Sequence, residues 1–270
     1  MSLKAGPLIL GSTGCVGRAL AQIWPADRPA IWQHRPGKTA PRKTALEWDI
    51  LAAPPPPLRH PVSGILLLAG GTSDEALRSA VPLAEAACDV GEREGVPVLL
   101  ASSQAVYGLQ SGPLTEDAPC APTNPYGLSK LAMERATGGR ATALRIGNVV
   151  GCDALAHSAN RGALRLDRFD DGASPRRSYL SAVGLKDIVL ALLDHPDALP
   201  TALNVADVGT LEMADLLAAA GVSWTWQPAP PTAIREFALD VSLMQSILPR
   251  PAADAGRLVR EAQDAGWTTP

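Results

Sequence analysis

Tyr126 and Lys130 stand four positions apart in Tyr126-Gly127-Leu128-Ser129-Lys130. On a helix this spacing puts phenol and ammonium on one face. An ammonium beside a phenol favours the phenolate, so the tyrosine pKa is expected to fall from about 10 towards the working range. Such a tyrosine can give a proton to a carbonyl oxygen or take one from a hydroxyl. Ser103, at the end of the apolar run Val98–Ser102, can hydrogen-bond the same oxygen. Alone the pair reads as a solvated helix face; it would serve reduction of a carbonyl or the reverse reaction beside a hydride carrier.

A second group of residues can hold one. Gly11-Ser12-Thr13-Gly14-Cys15-Val16-Gly17 directly follows the apolar run Leu8-Ile9-Leu10. A strand, a tight glycine turn and a helix N-terminus make an anion site, because unpaired N–H groups and the helix dipole point at the ligand. Gly11 would make the turn, Gly14 would admit a pyrophosphate to the backbone, and Gly17 would let helix and strand pack closely. The spacing is GxxGxxG rather than GxGxxG. An acid at the end of the second strand would bind a ribose 2′-hydroxyl. The chain instead has Gln33-His34-Arg35, followed by Lys38, Arg42 and Lys43. A guanidinium suits a 2′-phosphate, so NADP is the expected cofactor and NAD the second choice.

The elements that must carry these residues alternate in type. Leu8–Leu10, Ala30–Gln33, Ile65–Leu68, Val98–Ser102 and Ala143–Ile146 read as strands. Val16–Ile23, Asp74–Glu94 and Tyr126–Thr137 read as the helices between them. Such alternation predicts an α/β protein with a parallel sheet covered on both faces. Pro54–Pro57 is expected to be a surface connector. From about Gly151 to Tyr179 the pattern weakens while Arg161, Arg165, Arg168, Arg176 and Arg177 accumulate. Lys186–Leu193, Leu211–Ala220, Val241–Leu248 and Arg257–Ala265 read as helices, with strands at Ala202–Ala206 and Ser223–Gln227. The organisation expected is a dinucleotide-binding domain over 1–150. Residues 151–270 would complete the sheet at about 180–220 and form a small lobe from about 151–179 and 221–270.

Composition excludes several classes. With 46% hydrophobic and 19% charged residues the chain is globular, and its net charge of −3 gives no reason to expect nucleic acid. No run approaches the roughly 20 apolar residues of a membrane helix, and the apolar stretch before Gly11 is too short for a signal-peptide core. Four scattered cysteines, Cys15, Cys88, Cys120 and Cys152, show no metal-ligand spacing and read as reduced thiols in a cytoplasmic protein. No metal is expected.

Further motifs carry a resemblance. Ser102-Ser103-Gln104-Ala105-Val106-Tyr107-Gly108, then Leu114-Thr115-Glu116-Asp117, then Pro122–Lys130 and Glu134 resemble the extended short-chain dehydrogenase/reductase family of NAD(P)-dependent sugar epimerases, dehydratases and reductases. Leu144–Gly151, Ala202–Ala206 and Leu239–Ser242 resemble its later landmarks. The resemblance implies a Rossmann-type, doubly wound sheet with a small C-terminal substrate lobe and a Ser103–Tyr126–Lys130 triad. It implies that Lys130 also holds the nicotinamide ribose, that Asp49 and Ile50 flank the adenine, and that Ala69-Gly70-Gly71 pass beside the cofactor. Ile146 would sit near the nicotinamide, with Ser103, Gln104 and Asn148 facing the substrate. Arg176 or Arg177 resembles the family's substrate-phosphate arginine.

Departures from the family narrow the chemistry. Dehydratases carry an Asp-Glu pair after the catalytic Ser or Thr, where this chain has Gln104 and Ala105. Fucose-type reductase-epimerases carry a Cys at the position of Gln104. His157 or Cys152 could supply such a group from elsewhere, but each reads first as structural. Net reduction of a ketone, as in 4-keto sugar reductases, is the expected reaction, with a nucleotide-sugar 4-epimerase holding NAD tightly as the alternative. A dinucleotide-sensing protein without turnover and a reductase of a non-sugar carbonyl, with Trp224 and Trp226 lining its pocket, stay open. The resemblance implies a homodimer through the long helices, whose small faces are Ala80, Ala84 and Ala87 on one and Ala132 and Ala136 on the other, and the sequence leaves burial of these faces within the chain as the alternative.

Overall fold

Leu8-Ile9-Leu10 is apolar without alternation, and in the computed structural model it is buried on both faces as the central strand β1 (Leu8–Leu10). The model describes residues 5–42, 45–58, 60–159, 161 and 164–269. Chain order continues with α1 (Cys15–Ile23), β2 (Ile31–His34), β3 (Leu46–Glu47), β4 (Ile65–Leu67), α2 (Asp74–Glu94) and β5 (Val98–Ser103). Then come α3 (Pro125–Ala136), β6 (Thr142–Ile146), α4 (Ala182–Asp194) and β7 (Ala202–Val205). The strands form one sheet in the order β7-β6-β5-β4-β1-β2-β3, with every pairing parallel. This is the doubly wound Rossmann-type arrangement expected.

Period-two side-chain alternation builds two cores on the two faces. Ile9, Leu66, Leu99 and Leu144 face α1 and α4, against Leu20, Leu185, Ile188 and Leu192. Leu8, Leu10, Ile65, Leu67 and Leu100 face α2 and α3, against Ala84, Ala87, Cys88 and Met133. Each fully buried aliphatic side chain is worth roughly 1.5–3 kcal/mol, so the sheet is the rigid base on which the loops at its strand ends are held.

Helix ends are fixed locally. Ser73 caps α2 by accepting from Ala76 N–H, and Gly95 closes it in the left-handed conformation. Asn124 caps α3 by accepting from Gly127 N–H, with Pro125 in the first turn. The first helix begins at Cys15, and Gly14 at its N-cap position supplies no side-chain cap.

The region read as patternless is built of short pairings. Arg165–Arg168 runs parallel to Thr225–Pro228, and Asn148–Val149 parallel to Tyr179–Leu180. Leu211–Glu212, Arg176–Arg177, Glu236–Leu239 and Pro113–Leu114 form a four-stranded sheet in that order. Leu211–Glu212, read as the start of a helix, is therefore strand, and the helix runs Met213–Ala219. Two-residue strands are too short to show a period. Pro54–Pro57 lies in an irregular connector, as expected.

One expectation is corrected, and one alternative left open by the sequence is decided. Cys15 and Cys152 are joined by a disulfide, and only Cys88 and Cys120 are free. The fold brings residues 137 positions apart to a Cα–Cα distance of 5.5 Å, which no local spacing announces. Ala80, Ala84 and Ala87 are buried within the chain rather than presented on a surface, whereas Ala132 and Ala136 are exposed.

Candidate active site

Ser103 ends β5, and a tight turn over Gln104–Tyr107 follows it. Tyr126 lies in the first turn of α3 and Lys130 one turn later. Gly127 lets this helix approach the turn, since a Cβ there would come within 2.5 Å of Ala105 O. The Ser103 oxygen accepts from Ala105 N–H at 3.2 Å. Lys130 is buried, its Nζ lies 5.7 Å from the centre of the Tyr126 ring, and it donates to Ala101 O at 2.6 Å. The fold thus brings Ser103, Tyr126 and Lys130 together.

Burial sets their titration. Desolvation brings Lys130 down to about 8, against the opposing effect of Glu134 one turn on. Desolvation also pushes the Tyr126 phenol up, and the Ser103 hydroxyl pulls weakly the other way. The expectation of a lowered tyrosine is corrected: exclusion of water raises the phenol instead, so it keeps its proton through the neutral range.

Behind these residues lies a polar network in the core. Arg145 on β6 donates to Glu134 at 2.9 Å, to the Tyr107 hydroxyl at 3.0 Å and to Glu116 O at 2.8 Å. Tyr107 donates to Asn204 at 2.7 Å, Asn204 N–H donates to Glu116, and Ser102 donates to Glu134. Buried charge is tolerated here because each member finds partners. The network fixes the ends of β5 and α3 relative to one another. Arg145, a charge in the middle of an apolar strand, was the available signal for it.

The candidate dinucleotide cradle follows the C-terminal end of β1, as Ser103 stands at the C-terminal end of β5, with β4 between the two strands. Gly11 has φ +81°, and a Cβ there would lie 2.5 Å from Ala69 N. A Cβ on Gly17 would lie 2.5 Å from Ser12 O, so this glycine serves close packing. Gly14 differs, since its Cβ would meet only Gly11 O at 3.8 Å. Open space beside an uncapped helix N-terminus fits a pyrophosphate. Gly11, Thr13 and Gly14 line a cleft of about 610 Å³ with Asp49, Ile50, Ala69 and Gly70. Ser12 is buried and donates to Gln33 O at 2.7 Å. Cys15, Val16 and Gly17 shape the turn rather than line the cleft, and Gly71 sits against Ala76. Gly70 joins the two halves, because a Cβ there would lie 3.1 Å from Lys130 Nζ.

Arg35 and Lys38 line this cleft, as does Arg18 from α1, which the sequence reading passed over. Arg18 stands one helical turn beyond the glycine turn, which was its signal. Arg35 pairs with Glu75 at 3.1 Å on an exposed edge. The Gln33 amide accepts from Gly11 N–H at 2.8 Å and donates to Trp48 O, so it braces the turn. Arg42 donates to Ala21 O, and Lys43 lies outside the described residues.

On the substrate side, Gln104 donates to Asn148 Oδ1 at 2.9 Å. Gln104 Oε1 and the Tyr179 hydroxyl are buried with no hydrogen-bond partner among the described residues. Arg176 is held by Thr210 and Glu212. Arg177 donates to Arg176 O and faces no carboxylate within ion-pair distance among the described residues. Burial pulls its pKa down. Ile146, at the end of β6, is nearly buried. Trp226 is exposed, stacks edge-on against Trp224 and, with Arg168 and Phe169, lines a second cleft of about 550 Å³. His157 is exposed on a short helix, and Cys152 is held in its disulfide.

The model of the NAD dependent epimerase/dehydratase family matches residues 69–206. The chain belongs to this family. Its doubly wound sheet is that of the extended short-chain dehydrogenase/reductase type that the sequence resembles. A stretch of 64 residues is 47% identical to the UDP-glucose 4-epimerase of Azospirillum brasilense, covering 21% of this chain and 18% of that protein. The fold is similar to that of the UDP-Glc/GlcNAc 4-epimerase of Campylobacter jejuni, with TM-score 0.77, 19% identity and coverage of 97% and 99% of the two chains. It is also similar to a UDP-glucose-4-epimerase of Stenotrophomonas maltophila with bound NAD (TM-score 0.77, 18% identity, coverage 95% and 96%). An NAD-dependent NDP-hexosamine 5,6-dehydratase gives TM-score 0.74 at 21% identity, covering 97% of each chain. The family cofactor is thus of the NAD(P) type. Within the family, Gln104 and Ala105 leave this chain without an acid beside Ser103. Among the described residues no helix is long and apolar enough to cross a membrane.

Proposed function

We propose that this protein is an NAD(P)-dependent oxidoreductase acting on a carbonyl or hydroxyl carbon of a nucleotide-linked sugar. The observation that carries the reading is the convergence of Ser103, Tyr126 and Lys130, with Lys130 Nζ against Gly70, which also lines the cradle's cleft. When bound, the nicotinamide supplies or accepts the hydride. Tyr126 holds the proton for the substrate oxygen, and its raised pKa keeps that proton in place for reduction. Ser103 orients the same oxygen. Lys130 holds the ribose and keeps positive charge beside the phenol. Gln104 Oε1 and the Tyr179 hydroxyl, buried without partners, offer hydrogen bonds to sugar hydroxyls. Arg177 offers its unpaired charge to a diphosphate. A Tyr126→Phe protein should lose about 10²–10⁴-fold in turnover on a 4-keto nucleotide sugar while still binding cofactor. Full turnover by this variant would overturn the reading.

Net reduction with NADP is the finer proposal. No acid ends β2, and Arg18, Arg35 and Lys38 line the cleft. Titration with NADPH and NADH should favour NADPH, and Arg35→Ala should reduce that preference about tenfold, or about 1.4 kcal/mol. Tightly retained NAD would instead favour the 4-epimerase reading, which the NAD-bound epimerase relatives support. A cytoplasmic setting and a homodimer through α2 and α3 belong to the same proposal. Exposed Leu128, Ala132 and Ala136 lie on the outer side of α3, and gel filtration at micromolar protein tests the pairing.

A further inference from the structure

The cradle is tied covalently to the substrate side by a bond that the proposed reaction does not use. Cys15 is the first residue of α1, next to the open space at Gly14. Cys152 closes the turn after the strand Asn148–Val149, its N–H donating to Val149 O at 2.9 Å. Within that turn Gly151, at φ +86°, packs so closely on Trp267 that a Cβ would come within 2.9 Å of it. The turn is thus held by packing as well as by sulfur. Cys15 is exposed and Cys152 only half-buried, so the bond is open to attack. The two free cysteines contrast with this pair. Cys88 is buried and Cys120 partly so, and desolvation pushes both thiols up, away from the reactive form.

We propose that Cys15 and Cys152 form a reversible redox site, opened by a dithiol reductant, that sets how tightly the cradle holds its dinucleotide. A thiolate of the reductant attacks one cysteine sulfur. The Cys15–Cys152 bond breaks, and the departing sulfur leaves as a thiolate and takes up a proton. The second thiol of the reductant then displaces the remaining cysteine from the mixed disulfide. In balance, two electrons and two protons convert the bridge to two thiols while the dithiol becomes a disulfide. A small-molecule disulfide reverses the exchange.

Opening the bridge weakens dinucleotide binding because the first turn of α1 loses its anchor to the turn after Asn148. The coupling rests on the nicotinamide reading, whereas the bridge does not.

Alkylation with iodoacetamide under denaturing conditions should label two cysteines before treatment with dithiothreitol and four after it. Tryptophan fluorescence should report a native fold in both states. The dissociation constants for NADH and NADPH should rise at least about fivefold on reduction. Cys152→Ser should bind weakly with or without dithiothreitol, and Cys120→Ser should keep the response. Four labels before reduction would overturn the bridge. Equal affinity in the two states would overturn the coupling alone, and no binding in either state would overturn the cofactor reading together with the coupling.

Discussion

The glycine turn around Gly11–Gly17 and the face formed by Gln104, Tyr179 and Arg177 satisfy their polar groups in opposite ways. In the cradle the protein does so itself: Gln33 braces Gly11, Ser12 is spent on Gln33 O, and Gly17 fits against Ser12. What stays open is backbone N–H at an uncapped helix end, suited to the constant part of a dinucleotide. On the substrate side, side chains are left wanting: Gln104 Oε1, the Tyr179 hydroxyl and the Arg177 guanidinium. The cradle hangs on strands buried on both faces, whereas the substrate half rests largely on two-residue pairings. On the proposed function, geometry fixed by backbone would hold the shared ligand, and unpaired side chains would select the variable one.

The sharpest test of that contrast lies at two glycines three positions apart. Gly14→Val should leave the melting temperature nearly unchanged, because its side chain enters open space. It should nonetheless weaken NADPH and NADH binding by about 100-fold, a cost of about 2.7 kcal/mol. Gly17→Val should unfold the protein, since its Cβ would collide with the Ser12 backbone. A Gly14→Val protein that binds normally would show that the cradle does not hold the pyrophosphate.

At the junction of the halves the expected effect is one of pH. Lys130 carries its charge below about 8 and loses it above. Turnover in the reducing direction should therefore fall as pH rises through about 8, and Lys130→Met should abolish that limb along with most activity. Stability should move the other way. Between about 8 and the ordinary value of 10.5 the unfolded chain binds more protons at this lysine than the folded one. Its contribution to folding therefore improves with rising pH across that window. A rate profile flat from pH 7 to 9.5 would remove Lys130 from the chemistry.

The smallest effect belongs to the substrate half. Burial pushes Asp153 up to about 6, although its carboxylate accepts from Ala156 N–H. The folded state then holds a proton that the unfolded state, at 3.8, has lost. Stability from this group falls as pH rises from about 4 to 6 and stays lower above. Asp153→Asn keeps the acceptor without the charge and should stabilise the protein by about 1 kcal/mol at pH 7, leaving little difference at pH 4. Equal melting shifts at both pH values would contradict this.

Much of the fold was legible because its signals are local. The unbroken apolar run Leu8–Leu10 became a strand with the same limits, and α2 runs Asp74–Glu94 as read, between its Ser73 cap and Gly95. The proton-transfer cluster was legible through the four-residue spacing of Tyr126 and Lys130 and through the family motifs around Ser103. Leu46–Glu47 and Arg176–Arg177 were not, since two residues cannot show a period and their pairing is decided by distant partners. Arg18 escaped notice because its relevance lies in where a helix turn points.

The sequence by itself determined the layered α/β architecture, the glycine turn between β1 and α1 and the placing of Tyr126 and Lys130 one turn apart on a helix, because patterning and spacing are properties of neighbouring residues. Tertiary structure alone decided that Cys15 meets Cys152, that Ala80, Ala84 and Ala87 face inward, and that Tyr126 shifts up rather than down. Each of these depends on atoms far away in the chain: a contact closed over 137 positions, a helix face covered by a sheet, and water excluded from a phenol.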